Sequence, residues 1–148
     1  MQDFKQQAAV FNKMLTASRS AVETYQLAIK KYGDDPKART LDQILNDHRL
    51  AIAGLEVKIG ALGSAPAPDS GTWGKLAYTI QSSSSVLGSQ TILSNLQNGE
   101  ELELANYQAI LDDETTPSPC REMVEKQLLP QAQKHIATLK HLQFGESE

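Results

Sequence analysis

The chain has 148 residues, enough for one domain with a substantial core, and 40% of them are hydrophobic against 22% charged. A formal net charge of −4 leaves no basic footprint for nucleic acid, and no apolar run approaches the ~20 residues of a membrane span. A single cysteine, Cys120, excludes an internal disulfide and a multi-cysteine metal site, and MQDFKQQAAVF at the start lacks the pattern of a signal peptide, so the expected setting is cytoplasmic.

The first predicted helix runs over about 2–33. Phe4, Ala8, Phe11, Leu15, Ser18, Val22, Tyr25, Ile29 and Tyr32 alternate in steps of four and three, the buried stripe of an amphipathic helix. Glu23 flanks that stripe. Gly33 is the expected stop, since glycine accepts the left-handed conformation that ends helices. Asp35 as N-cap and Pro36 at the first helical position open a second helix over about 35–63. Its stripe is Leu41, Leu45, His48, Ile52, Leu55, Ile59 and Leu62. So short a turn between two long helices requires them to lie antiparallel.

GSAPAPDS at 63–70 reads as a loop, and Trp73, Leu76, Ala77 and Ile80 suggest a short crossover helix over 72–81. Trp73 is expected to cap the bundle or mark a dimer contact. The serine run 82–85 carries no nucleophile-elbow pattern, so a serine hydrolase is excluded and no catalytic residue is assigned. The third long helix, about 91–113, places Leu93, Leu96, Glu100, Leu104, Tyr107 and Leu111 on its inner stripe. Ser118 as N-cap and Pro119 begin the fourth, to about 143, with Val124, Leu128, Gln131, His135, Leu139 and Leu142 facing inward. Pro130 should kink that helix one turn before His135.

One polar residue thus interrupts each stripe: Ser18, His48, Glu100 and His135. Ser18 lies 15 residues before Gly33, His48 13 after Asp35, Glu100 13 before Asp113 and His135 17 after Ser118. These heights agree to about one helical turn, which puts the four in one layer. A short internal repeat supports it: Tyr25 (YQLAI) follows Ser18 by seven residues as Tyr107 (YQAIL) follows Glu100, and each tyrosine could support a site in the layer. Cys120, in the first turn of the last helix, could have its thiol pKa depressed by the helix dipole, although no partner supports reactivity. His141 is expected on the surface.

With LQNGEELELANYQAIL, CREMVEKQ and KHIATLKHL on the last two helices, the chain resembles the ferritin-like superfamily. More narrowly it resembles a bacterial family of small rubrerythrin-like bundles without assigned activity, over roughly residues 10–143. The resemblance implies an all-α, antiparallel four-helix bundle in one domain, residues 1–148, with a crossover between helices 2 and 3. Wider relatives bind two irons through a Glu from each of two helices and a Glu-x-x-His from each of the other two. On that plan Glu100 takes the third-helix carboxylate position, and His48 and His135 the two histidine positions. Ser18, Leu45 and Ala132 stand where the other three glutamates would be. Three of six ligands remain and every loss is a carboxylate, which argues against a complete oxidase or ferroxidase centre.

Three readings follow. In the first, which we adopt as the expectation, the layer is a structural cluster in a non-enzymatic protein with no cofactor. In the second, His48, Glu100 and His135 bind a single Zn²⁺ or Fe²⁺ in a rubrerythrin-like redox or iron-handling protein, with Glu103 or Glu23 rotating in as a fourth ligand. In the third, an oligomeric stress or scaffold protein acts through its surface on an unknown protein partner or a second copy of itself. Nucleic acid and membrane are expected partners in none of them.

Overall fold

A computed structural model describes residues 4–66 and 88–145. The expected crossover helix at 72–81, with Trp73, lies outside the described residues. What is described is all-helical: α1 (Phe4–Tyr32), α2 (Lys37–Ala61), α3 (Gly88–Asp112), α4 (Ser118–Met123) and α5 (Leu129–Phe144), the last two joined through a π turn at Val124–Leu128. Among the described residues no helix is long and apolar enough to cross a membrane.

Local chemistry explains where the helices begin and end. Gly33 closes α1 with φ +63°, a conformation a side chain would strain, and its N–H reaches Ile29 O at 3.1 Å. Asp35 Oδ1 accepts the Lys37 N–H at 2.9 Å and so caps α2. Gly63, at φ +77°, ends it: Gly63 N–H bonds Gly60 O and Ser64 N–H bonds Ile59 O, the paired bonds of a Schellman turn. The start of α4 differs from expectation. Pro117 in extended conformation is the N-cap, and Ser118 makes no capping hydrogen bond but is already helical. Arg121 ties this start to the end of α3, donating from Nη1 to Leu111 O at 2.9 Å, from Nε to Thr116 O at 3.2 Å and from Nη2 to Asp113 O.

Ahead of Pro130 the structure shows a π turn. The helix widens one turn earlier, where Leu129 N–H bonds Val124 O, five residues back, and Pro130 then falls in the first turn of α5. A proline there has no helical N–H to lose. The wider turn also shifts the inner face, so that Ala132 is buried where Gln131 was expected and is only half-buried.

α1 packs along α2, and α3 along α5. Their stripes form two apolar clusters, one around Phe11, Leu15, Leu55, Tyr107, Val124 and Leu128, the other around Ala21, Leu41, Leu45, Leu93, Leu96 and Leu139. Each buried aliphatic or aromatic side chain contributes about 1.5–3 kcal/mol, so these clusters carry the stability. The order of visits matters for topology. α1 and the α4–α5 helix run from the first cluster to the second, whereas α2 and α3 run from the second to the first. On every helix the polar residue falls between: Ser18 after Leu15, His48 after Leu45, Glu100 after Leu96, His135 after Ala132.

Candidate functional site

Glu100 is fully buried, and a buried carboxylate is tolerable only if its lone pairs are filled. Three donors fill them. Tyr25 Oη donates to Oε2 at 2.7 Å, His48 Nε2 reaches the same oxygen at 2.8 Å, and His135 Nδ1 reaches Oε1 at 3.2 Å. A carboxylate accepts only, so the facing nitrogen of each histidine carries a proton. The far side of His135 meets a second acid, with Nε2 2.9 Å from Asp47 Oδ2. Both ring nitrogens therefore donate to carboxylates, and the ring is an imidazolium held between two negative charges. The two imidazole rings lie 5.0 Å apart, centre to centre, and Tyr25 sits 5.5 Å from His48.

The ionisation of these groups follows from this arrangement. Burial by itself would raise the Glu100 carboxyl, but the charges and hydrogen bonds of His48 and His135 outweigh it and bring it down to about 2. Burial would lower His135, yet hydrogen bonds and charge from Glu100 and Asp47 raise it above the ordinary value. The Tyr25 hydroxyl is held well above its usual range, first by burial and then by the neighbouring Glu100. It stays a donor.

The other candidates lie elsewhere. Ser18 is buried in the stripe, but its Oγ is, among the described residues, a buried side-chain oxygen without a hydrogen bond. Tyr25 takes its place as the α1 contributor. Glu103, expected to rotate toward the layer, accepts instead from Tyr107 Oη at 2.9 Å. Burial pushes its carboxyl up to about 8 against the pull of that hydrogen bond, with Glu100 adding repulsion. Tyr107 therefore serves Glu103 and not Glu100. Glu23 is exposed and outside the cluster, as His141 is on the surface. Asp47 was not singled out from the sequence, because it stands one residue before His48 and so a third of a turn off the stripe.

Among the described residues His48, Glu100 and His135 are the group that could hold a metal ion, their ligand atoms all within 4.8 Å of one another. For two bridged ions the set does not fit. Leu45 and Ala132, where bridging glutamates would be needed, are apolar and 3% exposed, and Ser18 offers a hydroxyl in place of a charge.

The helix dipole does not depress the Cys120 thiol, and the residue is as incidental as the lack of a reactive partner suggests. It is buried, its Sγ 3.7 Å from Gln7 O, and burial pushes the thiol up to about 11, not down. At neutral pH the native protein should react with a disulfide reagent at least about 100-fold more slowly than the denatured chain. A stopped-flow comparison with and without guanidinium checks this. Comparable rates would place the thiol within reach of solvent.

The model of one protein family, described as a domain of unknown function (DUF2383), matches residues 6–113. The chain belongs to that family. The DUF2383 match spans α1, α2 and α3 and so contains Tyr25, His48 and Glu100, whereas His135 lies beyond it. No curated protein and no solved structure matches the chain.

Proposed function

We propose that this DUF2383 protein is a non-enzymatic, single-domain, ferritin-like bundle whose degenerate di-iron site persists as a buried ionic layer fixing the register of its helices. The observation that carries this reading is that both oxygens of Glu100 are already taken, by Tyr25, His48 and His135, at hydrogen-bonding distances. The 2.8 Å between His48 Nε2 and Glu100 Oε2 is a hydrogen bond; two ligands about 2.0 Å from one tetrahedral ion stand roughly 3.3 Å apart. The order in which the helices visit the two clusters supports the architecture. α1 is antiparallel to α2, α3 to the α4–α5 helix, and α2 runs parallel to α3. Those helix directions are the ones a ferritin-like bundle has.

A second reading has its own support. His135 presents Nδ1 to Glu100 while Asp47 holds Nε2, the arrangement in which an outer carboxylate orients a metal-binding histidine. His48, Glu100 and His135 would then hold one Zn²⁺ or Fe²⁺, which would polarise a ligand bound beside it. Metal analysis of protein purified without chelator separates the two. The ionic layer predicts zinc and iron far below one equivalent, with no change in Glu100→Ala. Near one equivalent in the native protein, lost in the variant, would overturn it in favour of the metal.

A further inference from the structure

Between α1 and α3 lies a cleft of about 580 Å³, within the range of small-molecule pockets. Val10, Met14 and Ala17 of α1 line one wall, and Ile110 and the ring of Tyr107 the other. Lys13 and Asp113 stand at the exposed rim and cancel in charge. Glu103, buried, also lines the cleft.

Asn106 and Thr116 also line the cleft, but Glu103 is its buried acid. Glu103 is 1% exposed, and its one hydrogen bond shown is the donation from the Tyr107 hydroxyl. Among the described residues no lysine, arginine or histidine forms an ion pair with it, and the charge that acts on it is the like-signed Glu100. Burying an acid without a cation is costly, and the cost falls away when a positive charge arrives. Glu100 was given two histidines and Glu103 none. Glu103 and its partner Tyr107 both line the cleft.

We infer that the cleft between α1 and α3 binds a small organic monocation, an amine with an apolar body, whose ammonium group pairs with Glu103 while its hydrocarbon lies against Met14, Ala17 and Ile110. The inference stands apart from the polar layer, since neither His48 nor His135 contributes to the cleft. Hydrogen-bond donation alone would not select an amine over an alcohol; the unpaired carboxyl does.

The full chain, ¹⁵N-labelled, is titrated with n-hexylamine hydrochloride and separately with hexan-1-ol, following backbone amides. The ammonium should give saturable shifts centred on Met14, Ala17, Glu103 and Tyr107, with an affinity at least tenfold above that of the alcohol. Glu103→Gln, which keeps the shape but cannot ionise to pair with an ammonium, should abolish that tenfold preference. Ala109→Trp, at an exposed position on the cleft wall, should block both ligands while leaving the fold intact. Equal binding of amine and alcohol, undiminished preference in a folded Glu103→Gln protein, or shifts located away from the cleft would each overturn the inference. Absence of any saturable shift would do the same.

Discussion

Glu100→Ala should lower stability by roughly 3–5 kcal/mol, the cost of leaving a buried charged partner uncompensated. His135 would keep Asp47 as its acid, and His48 and Tyr25 would each lose the bond to Glu100. For a chain of this length the melting temperature should fall on the order of 10 °C. The loss comes from broken pairing and not from the worth of the ion pairs as such. Replacing Glu100, His48 and His135 together by leucine should therefore recover a large share of it, because nothing charged then remains inside. Thermal denaturation followed by circular dichroism measures both. A Glu100→Ala protein within about 1 kcal/mol of the native one, by the same scale, would show that the layer does not hold the helices in register.

Stability should also depend on pH in a way that assigns itself to particular residues. Glu100 has a folded pKa depressed to about 2, so its contribution is present above the ordinary carboxylate range and is lost as pH falls toward 2. His135 is raised, so its contribution is complete below the ordinary histidine value and declines as pH rises through the folded one. Glu103 is the unusual case. Its folded pKa of about 8 exceeds the unfolded one, so the folded state binds the extra proton and stability falls as pH climbs from about 4.5 to 8. The slope for one proton is about 1.4 kcal/mol per pH unit. Maximum stability is thus expected on the acid side of neutrality, near pH 5. Urea unfolding at a series of pH values should show the decline, and Glu103→Gln should flatten it between pH 5 and 8. A native profile flat across that interval would mean that Glu103 is not held protonated by burial.

Much of this arrangement can be read from spacing alone, and the gaps have physical causes. His48, Glu100 and His135 interrupt stripes that step by three and four, so their inward direction and common height follow from helix geometry. The true α1 partner was harder to see. Backbone height favours Ser18, but side chains lean toward the N-terminus of their helix. Tyr25 starts two turns further along and is long enough to reach back to Glu100, while the short Ser18 hydroxyl makes no hydrogen bond to it. The same lean misassigns Glu103, whose partner is Tyr107, four residues on along its own helix. Asp47 needs knowledge of where α5 lies before its role emerges. Pro130 has two ways to be accommodated, a kink or a π turn just before it, and sequence pattern does not choose between them.

The protonation of His135 tests the ionic layer most directly. Long-range ¹H–¹⁵N spectra of the histidine rings distinguish a protonated ring nitrogen from a bare or metal-bound one. Both nitrogens of His135 should carry protons at neutral pH, and adding one equivalent of Zn²⁺ should leave them unchanged. A bare Nδ1 that shifts on adding zinc, in step with Nε2 of His48, would contradict the account.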